Sequence, residues 1–175
     1  MVLLFAALLF FIQSDVQSAQ TTSGSPDPEL VEINGKTNPE KIPQWKAWEA
    51  ALDLLAAGKR SQGQVLDSQL QLSDADKVLV YAEAVKNEER WNAHKKEVLT
   101  ELEPLVGKMN REDLMRRNRA MILDYRQKVL DGSERLLERL SPEGRAWLLS
   151  WVELRKASIT LTIPKSDLDF YRRPY

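Results

Sequence analysis

The sequence predicts a mainly α protein: an antiparallel bundle of about four helices, with an extended N-terminal tether and a short extended C-terminal tail. Three observations carry that expectation. Apolar residues recur at helical spacing in four separate stretches. Two of those stretches open on strong capping signals, Ser73 and Ser141-Pro142. The connections between them are short, which suits up-and-down packing.

Residues 2–12, Val-Leu-Leu-Phe-Ala-Ala-Leu-Leu-Phe-Phe-Ile, contain no polar side chain. At about 1.5 Å per residue they fall short of the ~30 Å hydrocarbon core of a bilayer. They fit the apolar region of a secretory signal peptide over residues 1–18, with Val16 and Ser18 at the small-residue positions before a cleavage site. Only the N-terminal amine supplies charge ahead of the run, so an uncleaved anchor and a buried helix of the fold remain open alternatives. A cleaved leader implies export to the periplasm or the extracellular space. Contact with a membrane is expected only if the leader is retained.

Residues 19–37 read as a flexible tether, polar and rich in Ser, Thr and Pro, with too little apolar surface to fold alone. Leu30, Val31 and Ile33 can dock as a short extended segment before the turn at Asn34-Gly35. The bundle domain is expected over 38–163. Its first helix starts near Asn38-Pro39 or at Pro43. Trp45, Trp48, Leu52 and Leu55 share one face of it. Gly58, followed by Lys59-Arg60, reads as its stop.

Ser73 caps the second helix, and Asp74 and Asp76 suit its positive end. Its stripe is Val78, Tyr81/Ala82, Val85, Trp91, Val98/Leu99, Leu102 and Leu105/Val106. Residues 86–97 weaken that stripe, and Pro104 should kink or end the helix. A third helix runs from about Arg111 to about Leu130, with Leu114/Met115, Met121/Ile122, Tyr125 and Val129 on its core face. Asp131-Gly132-Ser133 reads as a break or kink, and Leu136, Leu137 and Leu140 continue the apolar set. Ser141-Pro142-Glu143 opens the fourth helix, where Trp147, Leu148, Trp151 and Leu154/Arg155 face the core. Residues 159–163 alternate and are β-branched, so they read as extended. Residues 164–175 form an aromatic, basic tail.

Leu72-Ser73-Asp74-Ala75-Asp76-Lys77 and Leu140-Ser141-Pro142-Glu143-Gly144-Arg145 share the pattern Leu-Ser-x-x-x-basic. Two capped helix starts explain the pattern locally. It also resembles the paired Leu-Thr-x-x-Gln motifs of Spy/CpxP-like periplasmic proteins, with Ser in place of Thr and with Asp76 and Gly144 where Gln is expected. The resemblance covers roughly residues 70–155, and the Trp-rich first helix has no counterpart in it. It implies a small helical envelope protein, a stress chaperone or sensor that binds without catalysis.

Composition narrows the chemistry. The chain holds 25 Lys plus Arg against 26 Asp plus Glu, and removal of the leader with Asp15 brings the balance to zero. No global attraction to nucleic acid or an anionic membrane follows. The absence of cysteine excludes disulfides, thiolate nucleophiles and Cys-ligated metal. His94 is the single histidine. Glu97 and Glu101 share its helix face, but Asn92, Lys95 and Lys96 beside it suggest a solvated surface position rather than a metal site. Arg111, Arg116, Arg117, Arg119 and Arg126 make the third helix locally basic, with Glu112, Asp113 and Asp124 interleaved. Glu49 and Glu83 lie nearest the apolar faces, where structural ion pairs are the expected fate.

No cofactor, metal site or catalytic residue is therefore assigned. Trp45, Trp48, Trp147, Trp151, Phe170, Tyr171 and Tyr175 are the candidate partner-binding residues, with core packing between the first and fourth helices as the other reading of the tryptophans. The expected function is that of a non-enzymatic interaction protein of the cell envelope with a protein partner. The alternatives are an accessory subunit of a membrane complex, held by an uncleaved leader, and an enzyme of unidentified class.

Overall fold

A computed structural model of the protein describes residues 29–172, apart from the side chains of 62–69 and 172. The leader, residues 19–28 of the tether and Tyr175 lie outside the described residues. The chain is mainly helical: β1 (Leu30–Asn34), α1 (Gln44–Gln69), α2 (Asp74–Glu101), α3 (Arg111–Arg139), α4 (Pro142–Lys156), β2 (Thr160–Pro164) and α5 (Leu168–Arg172), with 3-10 turns at Pro39–Lys41, Glu103–Leu105 and Lys165–Asp167. Helix α1 is the central element and packs on α2, α3 and α4, while α2 packs on α3.

The core of the bundle forms where the α1 stripe predicts it. Trp45, Trp48, Leu52 and Leu55 are all buried, and Val80, Ala84, Ile122, Tyr125, Val129, Leu148 and Val152 close around them. A second cluster of Val98, Leu102, Leu114 and Met121 fills the far end of the α2–α3 pair. At the other end β1 and β2 form an antiparallel ladder with Leu30 opposite Pro164 and Asn34 opposite Thr160. Ile33, Ile42 and Ile163 make a small apolar cluster beneath it. Part of the expected tether is thus a strand, paired with the extended segment expected near the C terminus. The aromatic tail beyond it is a 3-10 turn and the short helix α5.

Three expectations along the helices are corrected. Helix α1 does not stop at Gly58 but runs on to Gln69. A glycine inside a helix costs about 1 kcal/mol, and tertiary contacts outweigh that here. The Lys59 ammonium lies 4.5 Å from the Tyr81 ring centroid, and Arg60 pairs with Glu88 of α2. Helix α3 does not break at Asp131-Gly132-Ser133 but continues to Arg139. Gly132 is buried against α2, where a Cβ would lie 2.7 Å from Arg90 Nη1, within the Glu83–Arg90 ion pair. Ser133 is also buried, and its hydroxyl donates to the Val129 carbonyl at 2.8 Å. The small residues permit close helix approach; they do not end the helix.

The third correction concerns which face of α2 is inside. Val78 is 68% exposed and Val85 51% exposed, whereas Asp76, Glu83, Asn87 and His94 are buried. The first half of the apolar stripe points outward because the inner face there is partly polar, whereas Val98 and Leu102 of the same stripe are buried. On α4 the buried line is Leu148 and Val152; Trp147 and Trp151 are half-buried and Leu154 is exposed.

The two Leu-Ser helix starts meet in space. Ser73 caps α2 by accepting from the Asp76 amide at 3.1 Å. Ser141 caps α4 by accepting from the Gly144 amide at 3.0 Å. The Asp76 carboxylate joins them: it accepts from the Ser141 hydroxyl at 2.6 Å, the Ser141 amide at 3.0 Å and the Ser73 hydroxyl at 2.8 Å. A Cβ on residue 144 would sit 2.6 Å from Asp76 Oδ2, so glycine makes room for the carboxylate. The Ser141 hydroxyl and amide hold the Asp76 carboxyl below the usual carboxylate range.

Asp76→Ala leaves Ser141 without its acceptor and should cost about 1–3 kcal/mol, read as a lower urea midpoint at unchanged slope. Gly144→Ala should destabilise too, through the clash with the same carboxylate. Stability equal to the parent in both variants would show that the joint is not a structural link.

Candidate partner-binding surface

The sequence-selected aromatic residues fall into two groups. Trp45 and Trp48 on α1 are each 3% exposed and belong to the core. Trp45 stacks on Tyr171 with centroids 6.4 Å apart and meets Tyr125 edge-on at 6.2 Å. Trp147, Trp151, Phe170 and Tyr171 are half-buried and reach solvent. One turn of helix separates Trp147 from Trp151, which brings the two rings into a stack 5.4 Å apart. The Arg155 guanidinium lies over Trp151 at 4.3 Å.

The 3-10 turn Lys165–Asp167 and helix α5 are held against the bundle by several links. Arg119 of α3 pairs with Asp167, and Arg126 Nη1 donates to the Phe170 carbonyl at 3.5 Å. Phe170 meets Tyr171 edge-on at 5.3 Å. Burial, with the Asp167 and Glu49 charges, pushes the Tyr171 hydroxyl up to about 12. The arginine-rich segment of α3 is therefore not one basic patch: Arg119 and Arg126 anchor the tail, and Arg116 pairs with Asp113 on its own helix.

A polar cluster runs from the buried Glu49 and Tyr125 out to Asp53 at the exposed edge of α1. The Tyr125 hydroxyl donates to Glu49 Oε1 at 2.9 Å, and Lys46 Nζ donates to Glu49 Oε2 at 2.6 Å. Asn87 Nδ2 donates to Asp53 Oδ1 at 3.2 Å. Arg90 Nη1 pairs with Glu83 Oε1 at 2.6 Å. Both glutamates near the apolar faces thus end in ion pairs. His94 does not lie on a solvated face; it is 4% exposed and stacks on Tyr125 with centroids 4.8 Å apart. The flanking Asn92 and Lys96 point to water, as their helical offset requires, but His94 lies on the α3-facing side. Glu97 and Glu101 are exposed, and among the described residues no group of three His, Asp or Glu is placed to hold a metal.

Burial sets the acid–base character of this cluster. It raises the Tyr125 hydroxyl well above the usual phenol range, and the Glu49 carboxylate adds to the effect. It lowers His94 from 6.5 to about 4, Glu49 opposing. Loss of hydration against α2, with the Glu49 charge, raises Asp53 from 3.8 to about 6, against the Asn87 hydrogen bond.

Sequence reasoning missed two grooves on the α2–α3 side. One, of about 330 Å³, lies over His94 and Tyr125 between Glu89, Glu97 and Lys128. The other, of about 320 Å³, lies between Leu79, Ala82 and Lys86 of α2 and Arg135, Leu136 and Arg139 of α3. The available signal for the second was the outward line Val78, Ala82 and Val85, at i, i+4 and i+7. Among the described residues no helix is long and apolar enough to cross a membrane. Comparison with protein-family models, curated proteins and solved structures gave no match.

The two shifted groups give opposite slopes of stability with pH. The native state binds fewer protons than the unfolded chain at His94 between about pH 6.5 and 4, so acidification costs stability there. At Asp53 the native state binds more protons between about pH 6 and 3.8, so acidification adds stability. His94→Gln should therefore flatten the loss of stability between pH 6.5 and 4, and Asp53→Asn should steepen it. Urea midpoints across that range check both signs, and a His94 ring-proton titration with a midpoint near 6.5 would remove the basis for the first.

Proposed function

We propose that the protein is a non-enzymatic binding protein of the cell envelope, exported by its N-terminal leader and acting as a chaperone or stress sensor for partner proteins. The observation that carries this reading is the apolar surface left outside the bundle. Val78, Val85 and Leu99 on α2, and Leu154 on α4, are between 45% and 68% exposed. Val78 and Val85 lie two turns apart on one face of α2, and exposed apolar side chains set among charged ones are a feature of interaction sites. The half-buried pair Trp147 and Trp151, with Arg155, adds the residue types that anchor protein interfaces.

The paired Leu-Ser helix starts, joined through Asp76, support the resemblance to Spy/CpxP-like proteins. That family's motif pair also opens two helices of one small bundle. Apolar residues 2–12, read as a signal peptide, support placement in the envelope.

Chaperone action is checked by light scattering of a denatured client refolding beside the purified protein. Suppression at an equal molar ratio is expected, and no suppression at excess would rule the chaperone reading out. Mass spectrometry of the native N terminus tests export; a chain beginning at Ala19 is expected, and an intact Met1 in a cytosolic fraction would overturn it.

A further inference from the structure

We propose that the groove between the first half of α2 and the last turns of α3 binds an acidic amphipathic helix of a partner protein. The inference deepens the interaction-protein reading and rests on it. Its floor is apolar: Leu79 and Ala82 from α2, Leu136 from α3. Its mouth is basic: Lys86 from α2, Arg135 and Arg139 from α3. Of the two glutamates in the groove, Glu83 is already committed to Arg90 at 2.6 Å. Only Glu138 remains against three cations. Among the described residues none of those three cations forms an ion pair. The groove therefore presents a net positive charge around an apolar strip, the complement of a helix with leucines on one face and carboxylates beside them.

The spacing on α2 favours a helix over an extended segment. Leu79, Ala82 and Lys86 line the groove from α2, and Val78 and Val85, the residues just before Leu79 and Lys86 in sequence, are 68% and 51% exposed. They are two helical turns apart, about 10.5 Å at 1.5 Å per residue. A partner helix returns its own side chains to one face at that same interval, so its apolar residues can seat on either side of Ala82. An extended strand alternates faces every residue and would turn half its side chains away from the strip. The small Ala82 in the middle lets the two backbones approach.

The test is fluorescence anisotropy with a labelled amphipathic peptide of Leu, Ala and Glu, its leucines on one helical face and its glutamates beside them. A twin peptide carries Lys for Glu. The full chain should bind the Glu peptide and not the Lys peptide, and the affinity should fall as salt rises. The double variant Arg135→Glu, Arg139→Glu changes only exposed positions and should keep the parent's circular dichroism and melting temperature. It should lose the Glu peptide by about tenfold or more and gain the Lys peptide. Val85→Ser should weaken the Glu peptide without changing its salt dependence.

Equal binding of both peptides, or binding untouched by the double variant, overturns the proposal. Binding to anionic phospholipid vesicles in place of the peptide assigns the surface to a membrane and overturns it too. If client aggregation is suppressed but the Glu peptide does not bind, the groove assignment alone falls. If neither is seen, the interaction-protein reading falls with it.

Discussion

A buried phenol has to place its hydroxyl against an acceptor, and that requirement at Tyr125 ties three helices together. Leaving such a hydroxyl unpaired in the interior costs about 1–3 kcal/mol. Tyr125, 2% exposed on α3, donates to Glu49 of α1. Its ring is flanked by Trp45 of α1 and by Trp91 and His94 of α2, at centroid distances between 4.8 and 6.2 Å. A slip of any one helix along its axis by a residue would break either the hydrogen bond or a ring contact. Glu49 carries a second obligation, since its other oxygen accepts from Lys46. The buried carboxylate is thus satisfied by a cation from its own helix and a hydroxyl from another, as a charge removed from water requires.

Asp76 has the corresponding role at the end of the bundle where α2 and α4 begin. Helix N termini leave amide hydrogens without partners. Here Ser73 and Ser141 each satisfy one, and Asp76 then accepts from both serine hydroxyls. Each serine hydroxyl is a donor to Asp76 and an acceptor from its own helix, so neither cap is independent of the other. The negative charge of Asp76 also lies near the positive ends of two helix dipoles. Together the Tyr125 and Asp76 sites fix α1, α2, α3 and α4 in a chain that has no cysteine to form a disulfide.

What was legible in the sequence follows from what the periodicity can report. The helix starts at Ser73 and Ser141, the α1 stripe and the strand-like 159–163 were all readable, because capping chemistry and apolar spacing are local. Gly58 and Gly132 do not end their helices, because a glycine says only that a side chain is absent. Whether that absence ends a helix or admits a neighbour depends on Arg60, Glu83 and Arg90, which are remote in sequence. His94 was misplaced for a related reason: its sequence neighbours are charged, yet a helix turns each of them by about 100° away from it. The antiparallel pairing of Leu30–Asn34 with Thr160–Pro164 joins opposite ends of the domain and left only the extended character of each segment to be seen.

The first half of α2 turns its apolar residues outward. A helix on a bundle ordinarily buries its apolar stripe and shows water its polar side. Helix α2 does this only in part. Its inner side holds Asp76, Glu83, Asn87 and His94, each engaged by a hydrogen bond, ion pair or ring contact. Its outer side presents Val78, Val85 and Leu99 to solvent. Moving those apolar residues inward would serve stability better, since each buried Val or Leu contributes about 1.5–3 kcal/mol. A helix that forgoes this gain keeps its inner face for polar links between helices and leaves an apolar strip outside. A partner helix seated beside Val78 and Val85, with carboxylates toward Lys86, Arg135 and Arg139, would bury the outer stripe while leaving the inner polar contacts intact.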